Sequence, residues 1–412
     1  MFSYDQNDLY CDQISLDEIA RAAGTPCYVY SANAIVEAYH SYSDAFEGLD
    51  HNICFAVKAN STLGVLALLA KEGAGFDIVS GGELFRVLEA GGDPARVVFS
   101  GVGKTAEEIE YALNNGIHSF NCESEAELAL IDALAGRLGK RAQFALRVNP
   151  DVDASTHPYI STGLKDHKFG IDIADAEAIY ARARQYRNIE ARGVSCHIGS
   201  QMLDIDPMLE AAGKVIALLE RLRAEGHRIT DLDLGGGLGV AYKPADEPAA
   251  IATFARHLRP LVEKTGARLM LEPGRSIVGQ AGVLLTRVLY RKQSPKKEFV
   301  IVDAAMNDLI RPTLYHAHHE ILPLRKNGYP LIHADIVGPV CESGDFLAKG
   351  RDLPGVLPGD FLAICTAGAY GFVQSSNYNS RPRAAEVLVQ GNRWRVIRER
   401  ETLKDLIRGE KA

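Results

Sequence analysis

Lys58 closes the run His51-Asn-Ile-Cys-Phe-Ala-Val-Lys-Ala-Asn60, where a short apolar stretch gives way to a small polar turn. A lysine at the end of a buried strand sits between two regimes, and its flexible stem with a pKa that burial can lower makes it a candidate Schiff-base nucleophile. Read alone, the plainer interpretation is a strand-end lysine reaching solvent. Other positions carry chemistry of a related kind: Asp77, Arg147, His197, the run Gly235-Gly-Gly-Leu-Gly239 and the turn Glu272-Pro-Gly-Arg275. Each has an ordinary alternative. Asp77 suits a helix cap, Arg147 a pairing with a neighbouring acid, His197 a satisfied core position, and the glycines a simple change of direction.

The elements that must position these residues decide between the readings. Short apolar runs at Ile53–Val57, Phe76–Val79, Val97–Phe99, Ile117–Phe120, Phe144–Val148, Gly193–His197, Leu232–Leu234 and Leu269–Leu271 read as eight strands. Amphipathic stretches separate them, such as Leu63–Lys71, Ala106–Asn114 and Pro207–Ala224. Strands alternating with helices imply parallel crossovers, and eight units predict an α/β fold with a (β/α)8 TIM-type barrel. A doubly wound open sheet is the structural alternative. From about Ala281 the pattern turns to strand-like runs broken by Gly and Pro, Val283–Leu289, Glu298–Val302, Pro330–Val337, Phe361–Thr366 and Glu386–Val396, as expected of a mostly antiparallel β domain. The expected organisation is a barrel over residues 31–280 and a discontinuous β domain over 1–30 and 281–412.

A parallel barrel gathers its active site at the carboxyl ends of its strands, and every residue singled out above falls at such an end. The glycine run has neither dinucleotide-binding spacing nor a Walker lysine. Its closely spaced N–H groups suit a phosphate instead, and Gly274-Arg275 adds a second small turn on the neighbouring strand. A lysine, a phosphate cradle and a carboxylate on one rim fit pyridoxal 5'-phosphate. Lys58 would form the Schiff base, Glu272 would stabilise a protonated pyridine nitrogen, and His197 would stack on the ring. Metal chemistry is the runner-up, but no His, Asp and Glu cluster has ligand spacing, so no metal is expected.

Bulk properties fit a cytoplasmic enzyme of small molecules. The 412 residues carry a net charge of −8, which disfavours nucleic acid and anionic membrane as partners. The start of the chain lacks the pattern of a signal peptide, and no apolar run is long enough to span a bilayer. Seven scattered cysteines include no Cys-x-x-Cys pair. The segment Asn149–Ile171 reads as a lid or a surface loop, and its His157 and His167 receive no role.

With these residues in view, the chain resembles the alanine-racemase-like, fold type III pyridoxal-phosphate decarboxylases over nearly its whole length. The resemblance rests on Phe55-Ala-Val-Lys-Ala-Asn60, Gly75-Phe-Asp-Ile-Val-Ser80, Cys196-His-Ile-Gly-Ser-Gln201, Gly235-Gly-Gly-Leu-Gly239 and Glu272-Pro-Gly-Arg275. It implies a barrel with a β domain and a homodimer with shared active sites. It gives Lys58, His197 and Glu272 the cofactor roles stated above, and puts Asp77, Ser200, Gly236, Gly237, Gly274, Arg275 and Tyr370 around the same group. Gly338-Pro-Val-Cys-Glu-Ser-Gly-Asp-Phe346 looks like the interface motif of the branch acting on meso-2,6-diaminopimelate. Cys341 would then reach the partner's site and protonate the carbanion left by carbon dioxide.

The resemblance implies the substrate, and charge gives a physical argument beside it. Arg311 and Tyr315 are four apart and would share a face of a helical turn, which Pro312 limits to a short one. A guanidinium and a phenol suit a distal carboxylate, and Glu342 suits a distal ammonium; Arg275 and Tyr370 complete the expected substrate contacts. Both signs together fit a substrate whose far end is itself an amino acid. The expected reaction is decarboxylation of meso-2,6-diaminopimelate to L-lysine and carbon dioxide, the last step of lysine biosynthesis by that route. Ornithine, arginine or carboxynorspermidine are alternative substrates on the same fold. Racemisation and non-catalytic cofactor binding are the alternatives of other classes.

Overall fold

The computed structural model describes residues 1–153 and 168–411. The stretch read as a lid or surface loop therefore falls, for residues 154–167 with His157 and His167, outside the described residues. Two compact units divide the chain. One comprises Glu37–Val240 and Glu247–Ser276, the other Met1–Val36, Ala241–Asp246 and Ile277–Ala412.

The first unit is a closed barrel of eight parallel strands, β1 (His51–Ala56), β2 (Gly75–Ile78), β3 (Val97–Phe99), β4 (Ser119–Cys122), β5 (Ala142–Asn149), β6 (Ile189–Ser195), β7 (Asp231–Asp233) and β8 (Arg268–Leu271). Each pairs in parallel with the next, and β8 closes on β1. All eight strands sit where the apolar runs predict them. Several of the intervening helices start at side-chain caps that answer orphan N–H groups of their first turns. Ser80 accepts from the Glu83 amide, Ser124 from the Glu127 amide, and Thr105 and Glu108 form a reciprocal capping box.

Period-two alternation sorts the strand residues between helices and barrel interior. Phe55, Phe76, Phe99, Phe120 and Phe144 are all buried, and Phe99 and Phe120 stack at 6.1 Å. Their neighbours of opposite parity point the other way. Cys54, Val98 and Met270 form a small dry cluster, and Asp77, Asn121 and Asp233 share that inward parity at the carboxyl ends of their strands. The barrel thus has an apolar plug with a polar layer above it. That layer is what a binding site needs.

The second unit is a β domain. Cys27–Ser31 pairs antiparallel with Gly282–Gln293 and parallel with Ala385–Gln390, so the N-terminal strand is stitched into the C-terminal sheet. Three differences from the sequence reading are physical. The run read as one strand over Glu386–Val396 is a hairpin, Ala385–Gln390 and Arg393–Arg398, because Gly391 takes φ +61 and reverses the chain. Phe346–Pro354 is a further strand, hidden in the sequence by its polar Lys349-Gly-Arg-Asp352 centre. A short three-stranded sheet, Phe2–Cys11 with Ile14–Ser15, was absent from the prediction because its strands are too brief to show a pattern. Among the described residues no helix is long and apolar enough to cross a membrane.

Candidate active site

Lys58 lies on a single 3-10 turn, Val57–Ala59, directly after β1. Its ammonium pairs with Asp77 Oδ2, one strand away at the end of β2. A third of the lysine side chain is exposed (33 %), whereas Asp77 is fully buried. Asp77 does not cap the helix that follows; Ser80 does. The other carboxylate oxygen, Oδ1, is buried without a hydrogen-bond partner, an expensive state unless something else meets it.

Lys58, His197 and Glu272 line one cavity of about 420 Å³ in the barrel mouth, with Ser100, Asn121 and Arg147 on its wall. That size suits a small-molecule site, typically about 300–1,000 Å³. Glu272 is buried at the end of β8. Its Oε1 accepts from Asn121 Nδ2 at 3.1 Å and Ser100 Oγ at 3.4 Å. Asp233 accepts from the same Asn121 nitrogen at 2.9 Å and from the Gly235 amide at 2.9 Å. Burial drives the Glu272 carboxyl well above its usual range; Asp233 and Asp77 push the same way, and the Lys58 charge opposes them. Asp233 is raised as well, first by burial. The two carboxyls behave as a pair that retains a proton.

His197 is held by the Gly236 amide, which donates to its Nδ1 at 3.2 Å. Burial, then the positive charges of Arg147 and Lys58, hold its pKa well below the ordinary value. The ring is therefore neutral. Arg147 keeps the ordinary role that the sequence also allowed. It pairs with Glu123 at 2.9 Å and lies over the Phe169 ring at 4.9 Å, shaping the wall.

The glycine run is needed for close approach. A Cβ on Gly236 would sit 2.2 Å from the Glu272 carbonyl oxygen, and one on Gly237 would sit 2.6 Å from that of Gly199, with φ +116 besides. No helix opens on this run; the next begins at Ile251. Arg275 donates to Ser200 Oγ at 3.0 Å, which joins the loops after β6 and β8. The cavity offers an amine, a carboxyl whose pKa burial raises and a neutral imidazole face, with the carboxylate of Asp77 behind the amine and an arginine–serine pair on loops of the same barrel. These residues fit pyridoxal phosphate: a ring with a basic nitrogen, an aldehyde and an anionic arm.

The remaining predicted residues lie in the β unit. Arg311–Tyr315 is one helical turn with Pro312 in its first positions. Arg311 is buried, and Tyr315 Oη accepts from Gln374 at 3.4 Å. Tyr370 takes φ +55 between Gly368 and Gly371, and a Cβ on Gly371 would meet the Ala367 carbonyl at 2.5 Å. Cys341 and Glu342 are exposed. Their loop is stapled by the buried Asp345, which accepts from the amides of Met306 and Val340, each at 2.7 Å. Sequence reasoning missed Ser100, Asn121, Asp233 and Glu83. The first three are polar residues of inward parity at strand ends, a signal available once the barrel is recognised.

A parallel barrel that collects a lysine–carboxylate pair and a buried acid at its mouth suits an enzyme that works through an amine-bound cofactor. Residues 32–279 match the family described as pyridoxal-dependent decarboxylase, pyridoxal binding domain, and the chain belongs to it. The chain is 54 % identical over 409 residues to the diaminopimelate decarboxylase of Pseudomonas aeruginosa, covering 99 % of this chain and 98 % of that one. It is 50 % identical to the Aquifex aeolicus diaminopimelate decarboxylase, with 97 % and 94 % covered. The crystal structure of the Helicobacter pylori diaminopimelate decarboxylase complexed with L-lysine superposes with a TM-score of 0.92 at 45 % identity, covering 95 % of this chain and 98 % of that one. The M. jannaschii diaminopimelate decarboxylase with L-lysine gives 0.96 at 38 %, covering 100 % and 98 %.

Glu83, on the helix after β2, accepts the Val79 amide at 2.7 Å, and burial raises its carboxyl from 4.5 to about 7. The folded protein thus binds this proton more tightly than the unfolded chain. The stabilisation is complete below the unfolded value and is lost as pH rises through about 7. In cofactor-free protein, Glu83→Gln should flatten the fall in melting temperature between about pH 5 and 7.5. Parallel curves for variant and wild type would remove Glu83 from this role.

Proposed function

We propose that this chain decarboxylates meso-2,6-diaminopimelate to L-lysine and carbon dioxide, with pyridoxal phosphate as its cofactor. The observation that carries the chemistry is the Lys58 ammonium held by a fully buried Asp77 in a cavity walled by Glu272. The choice of substrate draws on relatives of nearly full-length similarity that bear the diaminopimelate decarboxylase name, two of them solved with L-lysine.

Bound pyridoxal phosphate supplies an electron-poor ring that takes up the electron pair released when a carboxylate leaves. Lys58 would furnish the amine that holds the cofactor. Asp77 keeps that amine positioned and near neutral net charge. Glu272, whose carboxyl burial pushes well above its usual range, would face the ring nitrogen and favour its protonated form. Neutral His197 offers a flat face that does not repel a cationic ring. Ser200, Gly236, Gly237, Gly274, Arg275 and Tyr370 hold the phosphate and its surroundings, the glycines through backbone N–H groups.

For the substrate, Arg311 and Tyr315 bind the distal carboxylate and Glu342 the distal ammonium, with Arg275 and Tyr370 beside the reacting end. Cys341 donates the proton that replaces carbon dioxide. Its exposure on a loop pinned by Asp345 supports a role in a partner subunit's site, and therefore a homodimer with shared active sites. We also assign the barrel to residues 31–280 and the β domain to residues 1–30 and 281–412, and the enzyme to the cytoplasm.

Incubation with pyridoxal phosphate and meso-2,6-diaminopimelate should release carbon dioxide and L-lysine in equal amounts. Carbon dioxide from ornithine, with none from diaminopimelate, would sink the substrate assignment. Cys341→Ala should retain the visible absorbance of bound cofactor while kcat falls about 10²-fold or more; unchanged kcat would remove the thiol from the reaction.

A further inference from the structure

Arg311 is only 6 % exposed, so its planar guanidinium must be fixed by what surrounds it. Its NH1 lies 3.1 Å from His319 Nε2, and its guanidinium carbon is 4.4 Å from the centroid of the Tyr242 ring. An arginine nitrogen can only donate, so Nε2 accepts and carries no proton. The other ring nitrogen, Nδ1, lies 2.8 Å from the Cys365 carbonyl oxygen. A carbonyl can only accept, so Nδ1 carries the proton. Both contacts hold together in one species, the neutral Nδ1–H imidazole.

That imidazole is itself anchored. His319 is fully buried, its ring meets the Tyr242 ring edge-on at 5.3 Å and 83°, and its backbone carbonyl accepts from Arg351 at 3.0 Å. The Cys365 amide in turn donates to the Glu320 carbonyl at 2.8 Å. Cys365 and the His318–Glu320 segment therefore lock to each other on both sides of the ring. A guanidinium resting on a ring face and tied through one terminal nitrogen has its plane set, and two-point recognition of a carboxylate depends on that plane.

We propose that His319 and Tyr242 are positioning residues that orient Arg311 and so set the preference for a substrate with a carboxylate at its far end. The proposal rests on the reading of Arg311 given above. His319 works through its acceptor nitrogen and Tyr242 through its ring face. Neither contacts substrate.

The test compares KM for meso-2,6-diaminopimelate with the inhibition constant of D-lysine in the holoenzyme. D-lysine keeps the reacting head and the far ammonium but lacks the far carboxylate. His319→Leu should raise KM about tenfold while the D-lysine constant stays within about twofold. His319→Gln, whose Oε1 can accept from Arg311, should recover most of the loss. Arg311→Met is measured in parallel. If it leaves KM unchanged, the reading of Arg311 fails and the positioning role with it. If it raises KM and His319→Leu does not, the positioning role alone is overturned. Equal rises in KM and in the D-lysine constant would also overturn it, because they mark general disturbance. Should His319→Leu fail to fold, Tyr242→Leu against Tyr242→Phe makes the same comparison: the split is expected for Leu, little change for Phe, and the absence of a split overturns the role.

Discussion

Three carboxyl groups, Asp77, Asp233 and Glu272, are buried within the mouth of one barrel, and the rest of the site answers that concentration of negative charge. Ionised acids without water are costly unless they are paired or protonated. Each acid meets the cost differently. Asp77 takes the Lys58 ammonium. Asp233 takes the Gly235 amide and the Asn121 amide group. Glu272, last in the series, keeps a proton. The arrangement tolerates its own charge and remains ready for a cationic ring nitrogen, which would relieve it.

The fold supplies this economy of placement. Strand alternation that turns Phe76 outward turns Asp77 inward, and the same parity brings Asn121 and Asp233 into the same layer. The Gly235–Gly239 run follows because the backbones of β7 and β8 and the loop after β6 press together there, leaving no room for a Cβ at Gly236. In the β unit the same logic recurs on a smaller scale. Asp345 staples the loop that carries Cys341 and Glu342, and His319 with Tyr242 sets the plane of Arg311. In both units a buried polar group, satisfied on several sides, fixes the reactive one.

The barrel was legible because its strands are short apolar runs separated by amphipathic stretches, a pattern that local sequence alone announces. Lys58, His197 and Glu272 were legible because strand ends in a parallel barrel converge, so sequence order predicts their meeting in the cavity. Asp233 and Asn121 were not, since an isolated Asp or Asn in a strand resembles a surface residue until its parity is known. The hairpin at Gly391 and the strand Phe346–Pro354 escaped for a related reason: both lie at the edges of their sheet, where apolar and polar residues alternate weakly. His319 was invisible because its function depends on three contacts, to residues 8, 46 and 77 positions away.

We propose that Lys58, and no other amine, carries the cofactor. Borohydride reduction of the holoenzyme, followed by digestion and mass spectrometry, tests it directly. A pyridoxyl-phosphate label on the peptide containing Lys58 alone is the expected result. A label on another lysine, or none, would contradict it.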